Sequence, residues 1–212
     1  MPARGRLVAL EGIDGCGKST QARALADVLG ARLTHEPGAT PLGASLRRLL
    51  LSPDTPPPTP RAEALLMAAD RAEHVARVLE PALAAGEWVV TDRYAASTLA
   101  YQGWGRGLGA QELAPLVSWA TAGLAADLSV LVDVDVALAA ARRGDAGDAG
   151  ADRLERLGPE FAARVREGFL AQAQADPAHW FVVDGSRPAG EVTAHIVEAV
   201  RARLGEPRRP GE

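Results

Sequence analysis

The chain has 212 residues, 47% hydrophobic, with a formal net charge of −4 and one cysteine. That length suits one well-buried domain and crowds two, and the acidic balance argues against a dedicated nucleic-acid binder, which carries a basic face. One cysteine excludes an intrachain disulfide and fits a reducing compartment; with no apolar run near the ~20 residues of a membrane span, the expectation is a cytoplasmic protein without membrane partners.

Residues 1–6 run straight into Leu7-Val8-Ala9-Leu10, which leaves no room for a signal peptide. The apolar run itself reads as a buried parallel strand. Directly after it stands Gly12-Ile13-Asp14-Gly15-Cys16-Gly17-Lys18-Ser19-Thr20, the G-x-x-x-x-G-K-S spacing of a P-loop. The glycines permit a tight turn whose N–H groups form a nest for phosphate, closed by the positive end of the next helix. In that arrangement Lys18 reaches the β- and γ-phosphates and Ser19 offers its hydroxyl to Mg²⁺. Lys18 is also the only lysine among 23 basic residues. Arginine serves everywhere else, so Lys18 marks a place where a compact ammonium and a planar fork are not interchangeable.

The helix that follows carries Ala22, Leu25, Ala26 and Leu29 on one face and stops at Gly30. Arg32–His35 is a weaker second strand, leading to Glu36-Pro37-Gly38. Thr40-Pro41 is a cap followed by an N1 proline, opening a helix through Leu50. Five prolines between Ser52 and Pro60 specify an extended loop. Thr59-Pro60 repeats the cap and opens a longer helix carrying Leu65, Ala69, Ala72, Ala76 and Leu79. Residues 88–92 form a third strand, 110–122 a helix, 128–132 a fourth strand and 180–183 a fifth. The final helix carries Val192, Ile196, Ala199 and Val200. The small, acidic, glycine-rich segment 144–152, flanked by Arg142, Arg143 and Arg153, is either a phosphoryl-transfer lid or a solvated loop. The fold expected is α/β: one P-loop three-layer αβα domain over residues 1–204. It holds a five-stranded parallel sheet, a short mobile lid at about 142–155 and a disordered tail at 205–212.

The stretch from Thr91 to Gly103 supplies the second half of a site, because it begins at the carboxyl end of a strand, where open α/β sheets bind ligands. Asp92 can assist Mg²⁺ through water, and Arg93 can hold a phosphate bidentately. Tyr101 offers a flat ring and Gln102 an amide able to pair with a base edge. Each alone also reads as packing or a surface ion pair; together they favour a second ligand pocket.

Five motifs make the chain resemble the bacterial thymidylate kinases over essentially its whole length. They are Glu11 to Thr20, Glu36-Pro37-Gly38-Ala39-Thr40, Ala68-Ala69-Asp70-Arg71, the Asp92-Arg93-Tyr94 to Tyr101-Gln102-Gly103 stretch, and Asp152-Arg153-Leu154-Glu155. The resemblance implies ATP and dTMP as substrates, Mg²⁺ and a homodimer, for which apolar faces on residues 61–85 and 110–122 are available. It implies that Arg47 and Arg93 clamp the acceptor phosphate, and that Asp14 lies near that phosphate, the sugar 3′-hydroxyl and the metal. Glu36 is implied as a second acidic group facing the site. Arg71 is implied to hydrogen-bond a thymine carbonyl, Thr98 and Gln102 to read the other base edge, and Tyr101 to crowd the sugar 2′ position. With no arginine inside the P-loop, the catalytic positive charge is implied to come from Arg142, Arg143 or Arg153.

Two positions depart from the family pattern. Met67 stands where a phenylalanine commonly stacks on thymine; it reads either as a thioether under the base or as a core methionine. Cys16 stands in a small-residue slot, which it either simply fills or occupies as a thiolate made acidic by the helix terminus and Lys18. Two rival functions differ in chemistry. A deoxynucleoside kinase accepts a hydroxyl and needs a carboxylate base, and a GTP-binding switch needs an Asn-Lys-x-Asp pattern that a chain without asparagine cannot supply.

Overall fold

The computed structural model describes residues 4–145 and 152–207. Five parallel strands form the sheet, β1 (Leu7–Glu11), β2 (Arg32–His35), β3 (Val89–Asp92), β4 (Leu128–Asp133) and β5 (Trp180–Asp184), in the order β2-β3-β1-β4-β5. All five lie where the sequence places strands, to within a residue at their ends. β1 is central and buried on both faces, which is why it is apolar without alternation. Val8 and Leu10 pack with Ala22, Leu25 and Leu29 on one face. Leu7 and Ala9 pack on the other with Val75, Leu79, Ala82 and Leu83, as the two-residue period of a strand requires. β2 at the edge is largely exposed.

The helices are α1 (Lys18–Leu29), α2 (Pro41–Leu51), α3 (Pro60–His74), α4 (Glu80–Ala84), α5 (Ala95–Thr98), α6 (Ala110–Ala120), α7 (Val136–Asp145), α8 (Gly158–Ala175) and α9 (Ala189–Leu204). Thr40 caps α2, its hydroxyl accepting from Gly43 N–H at 2.9 Å, and Thr59 caps α3 through Ala62 N–H at 3.4 Å. The long helix expected from Pro60 is interrupted by a π-helical segment, Val75–Leu79, before α4. A second π-helical segment, Leu99–Gly105, continues α5 through the base-pocket stretch. Such segments are frequent at functional sites.

α7 and α8 occupy regions where the sequence reading assigns no helix. Arg142 and Arg143 consequently sit in the last turns of α7 rather than in a loop. Residues 146–151 of the expected lid and 208–212 of the expected tail lie outside the described residues. α8 contributes Phe161, Val165 and Phe169 to the larger core cluster, and α9 contributes Val192, Ile196 and Val200. No helix among the described residues is long and apolar enough to cross a membrane.

Candidate active site

The P-loop joins β1 to α1 at the carboxyl edge of the sheet. Gly15 and Gly17 both have positive φ, 87° and 94°, but for different neighbours. A Cβ on Gly15 would fall 2.3 Å from the Ala139 carbonyl oxygen, whereas one on Gly17 would meet nothing within 4 Å. Gly15 is therefore demanded by α7 packing behind the loop as well as by the turn. Gly12 is buried, and Ile13 and Cys16 belong to the core. Ser19 and Thr20 begin α1 on the solvent side. Burial raises the Cys16 thiol above its ordinary value and outweighs the Lys18 charge, so of its two readings the inert slot-filler is the one the geometry favours.

Four side chains converge beside the loop. Asp14 accepts from Lys18 Nζ at 3.1 Å and Arg93 Nη2 at 2.5 Å through Oδ1, and from the Tyr101 hydroxyl at 2.7 Å through Oδ2. Burial pushes the Asp14 carboxyl up, but Arg93, Lys18 and Tyr101 together outweigh it and hold the group well below the usual carboxylate range. Arg93 has φ 76°, a left-handed conformation costing a non-glycine residue roughly 1–2 kcal/mol. The surroundings over-determine it: its N–H donates to Leu10 O at 2.9 Å and its Nη1 to Gly12 O at 3.0 Å and Ser97 Oγ at 3.1 Å. Strain held in this way clusters at ligand clamps. The Arg93 guanidinium also lies 4.8 Å from the Tyr101 ring centroid, and burial raises the Tyr101 phenol far above its ordinary value.

Two cavities open from this cluster. One, of about 580 Å³, is lined by Asp14, Glu36, Arg47, Met67, Arg71, Arg93, Thr98, Tyr101 and Gln102 among others. The other, of about 950 Å³, is more polar and is lined by Asp14, Gly15, Lys18, Ser19, Glu36, Arg47, Asp92 and Arg93 among others. All nine sequence-proposed substrate-binding residues thus share one cavity wall. Asp92 Oδ1 is buried without a hydrogen-bond partner among the described residues.

The first cavity rests on a buried polar layer in which Glu36, Arg71, Thr98 and Gln102, proposed from the sequence, are held by partners that the sequence reading did not contain. Arg71 donates to Glu36 Oε2 at 2.8 Å, Thr98 Oγ1 at 2.7 Å and Tyr94 O at 3.0 Å. His74 Nδ1 pairs with Glu36 Oε1 at 2.8 Å and its Nε2 with Thr34 Oγ1 at 2.8 Å. Asp70 accepts from Gly38 N–H at 2.9 Å. Burial and the Glu36 charge push Asp70 up to about 6. Glu63, fully buried, accepts from Gln102 Nε2 at 3.0 Å and from both Nε and Nη2 of Arg106. Glu11, also fully buried, accepts from Tyr94 N–H and the Ser97 hydroxyl, and desolvation pushes it up to about 7. One signal was available: Glu63, Met67, Asp70, Arg71 and His74 recur at helical spacing, a charged stripe on an inner face.

The three arginines flanking the expected lid differ in placement. Arg142 Nη1 donates to Gly185 O at 3.0 Å and Cys16 O at 3.4 Å, bracing the P-loop from behind. Arg153 donates through Nε and Nη2 to Leu50 O at the end of α2, and its Nη2 lies 3.4 Å from Glu63 Oε2. Its Nη1 is buried without a partner among the described residues. Arg143 lines a further small cavity with Ile13, Asp14, Tyr101 and Glu155. Arg47 donates to Pro37 O at 2.9 Å and borders both large cavities.

Comparison with known proteins adds independent findings. Residues 10–196 match the family model for thymidylate kinase. A thymidylate kinase of Synechococcus sp. is 50% identical over 212 residues, covering 95% of this chain and 98% of that protein. One from Bordetella petrii is 49% identical over 207 residues, covering 95% and 98%. The crystal structure of thymidylate kinase from Ehrlichia chaffeensis superimposes with a TM-score of 0.75 at 29% identity, covering 94% of this chain and 99% of that one.

Proposed function

The chain belongs to the thymidylate kinase family, and we propose that its paired cavities seat dTMP and ATP head to head across the Asp14–Lys18–Arg93 cluster. It is a nucleoside monophosphate kinase, transferring the γ-phosphoryl group of ATP to dTMP to give dTDP and ADP. The observation that carries the seating is the single wall on which Arg47, Met67, Arg71, Arg93, Thr98, Tyr101 and Gln102 meet, continuous at Asp14 with the P-loop cavity.

The acceptor is a phosphate oxygen already ionised at neutral pH, so no strong general base is needed. Catalysis then consists of in-line positioning and of offsetting the charge of two phosphates brought together. In this reading the P-loop N–H groups of residues 12–20 cradle the donor phosphates, and Lys18 leaves Asp14 to follow the transferring group. Arg93, pre-set by its strained backbone, and Arg47 hold the acceptor phosphate. The P-loop hydroxyl of Ser19 and the Asp92 oxygen, which has no hydrogen-bond partner among the described residues, suit a hard cation and would hold Mg²⁺ directly or through water. When bound, Mg²⁺ supplies charge neutralisation at the β- and γ-phosphate oxygens. Arg143 is the arginine proposed to meet the transferring phosphoryl, with Arg142 and Arg153 acting as braces.

On the acceptor side, Arg71 has N–H groups to spare for a thymine carbonyl after its three contacts. Thr98 lies beside it, and Met67 lies on the cavity wall under the base. The Tyr101 ring, fixed by Asp14 and Arg93, crowds the sugar 2′ position, and Glu36 orients Arg71. The homodimer belongs to the same reading, with Leu65 on α3 and Trp119 on α6 exposed for it; Trp119 is 83% exposed. Turnover of dTMP with Mg·ATP by the purified chain, and its collapse in Lys18→Ala, test the proposal. Turnover unaffected by Lys18→Ala would refute the assignment of the P-loop.

A further inference from the structure

Gln102 is an amide placed to read a base, and what it reads depends on which end faces the cavity. A carboxylate accepts hydrogen bonds and donates none. Glu63 lies against Gln102 with Oε1 3.0 Å from the amide nitrogen, so the nitrogen must point down to Glu63. The carbonyl oxygen is then turned toward the cavity that Gln102 lines, where it accepts no hydrogen bond from a described residue. Arg106 holds the other side of the arrangement, donating to Oε1 at 3.1 Å and to Oε2 at 2.8 Å. Glu63 and Gln102 are 0% and 1% exposed, so water does not arbitrate between them.

We infer that Glu63 is a positioning residue for base specificity: by fixing the Gln102 amide it presents an acceptor to the cavity, which takes a pyrimidine with N3–H and refuses one whose N3 is a lone pair. The inference rests on the base-reading role proposed for Gln102. Thymine offers a carbonyl at C4 and a proton at N3, which match the Arg71 donors and the Gln102 acceptor. Cytosine offers an amine and a bare nitrogen at those positions, the reverse at both.

The consequence of Glu63→Gln follows from the neighbours. A glutamine at this position has one oxygen and one NH₂ to place. The Oε2 position faces Nη2 of Arg106 and Nη2 of Arg153, at 2.8 and 3.4 Å, and two cations keep the oxygen there. The NH₂ then takes the Oε1 position, removing the acceptor that Arg106 Nε and Gln102 Nε2 share there, and finds an acceptor of its own only if Gln102 turns its oxygen inward. The Gln102 NH₂ now faces the base. A lost and mismatched buried hydrogen bond shifts affinity by about tenfold or more.

The test measures kcat/KM for dTMP and for 5-methyl-dCMP, which differ only at N3 and C4, in four proteins: the parent, Glu63→Gln, Gln102→Glu, and the double exchange. The expected result is a fall of about tenfold in the dTMP preference of Glu63→Gln, carried by KM rather than kcat. Gln102→Glu should raise KM for dTMP because two carboxylates oppose each other. The exchange should restore both, since the amide introduced on α3 then donates to the carboxylate introduced opposite it, whose second oxygen faces the base. An unchanged preference in Glu63→Gln, or an exchange no better than either single variant, overturns the inference. If Glu63→Gln does not fold, the comparison of Gln102→Glu with the exchange decides by the same rescue. Failure of the underlying readings looks different: a parent inactive on dTMP refutes the function, and an unchanged dTMP KM in Gln102→Ala refutes base reading by Gln102.

Discussion

Glu11 closes β1 as a fully buried carboxyl group, and its replacement by glutamine gives a stability change whose size depends on pH in a calculable way. Desolvation, only partly offset by the Ser97 hydroxyl, Arg93 and the Tyr94 N–H, moves its pKa from 4.5 to about 7. The folded chain therefore holds a proton that the unfolded chain releases. Stability contributed by the neutral group is fully present below about pH 4.5 and is lost as pH rises toward 7 and beyond. A shift of that size is worth about 3 kcal/mol at pH 8, where the unfolded carboxyl is ionised at no cost, and under about 1 kcal/mol at pH 5. Glutamine is isosteric with the neutral acid. Its oxygen still accepts from Tyr94 N–H, and the Ser97 hydroxyl, which donates to Glu11 Oε2 at 2.6 Å, turns to accept from the glutamine NH₂. Urea denaturation of the parent and Glu11→Gln at pH 5 and pH 8 should thus show the variant near parity at pH 5 and more stable by about 3 kcal/mol at pH 8. Asp70, also raised, to about 6, is common to both proteins and cancels in the difference. A stability difference that is the same at both pH values would refute the reasoning.

Other expectations concern the reaction. Lys18→Arg should lose nearly as much turnover as Lys18→Ala, because a fork does not fit the nest; single-turnover rates in both variants check this. Arg143→Ala should lower kcat by about 10³ or more, while Arg142→Ala and Arg153→Ala act mainly through stability, separable by comparing kcat with the urea midpoint. Met67→Phe should lower KM for dTMP with little change in kcat; an unchanged KM would remove Met67 from beneath the base. Cys16, its thiol raised by burial, should resist alkylation at pH 7.5, as thiol titration of the native and unfolded chain would show.

The parts of this molecule legible in its sequence are those written locally. The P-loop spacing lies within nine residues, four of the five strands are short, mainly apolar runs, and the Thr40 and Thr59 caps precede N1 prolines. α8 escaped although Phe161, Val165 and Phe169 recur at helical spacing, because it opens on Gly158-Pro159 with no capping side chain, a pair that reads as a turn. The π-helical segments escaped because one extra residue in a turn leaves little mark on periodicity. The polar layer under the base pocket was illegible for a different reason. Glu63 finds Gln102 and Arg106 at separations of 39 and 43 residues, and Glu11 finds Ser97 at 86. Such pairings exist only once the sheet has brought β1, β3 and α3 together. The flanking arginines show the same limit: their clustering suggested one shared task, and the fold gives Arg142 and Arg153 to different backbone carbonyls.

The central claim is the identity of the acceptor. A coupled assay of ADP release with Mg·ATP, run with dTMP, dUMP, UMP and thymidine at equal concentration, tests it most directly. The account predicts fast turnover of dTMP, weak turnover of dUMP, and none of UMP, which meets the Tyr101 ring, or of thymidine, which brings no phosphate to Arg93. Preferential turnover of thymidine, or none with any acceptor, would contradict it.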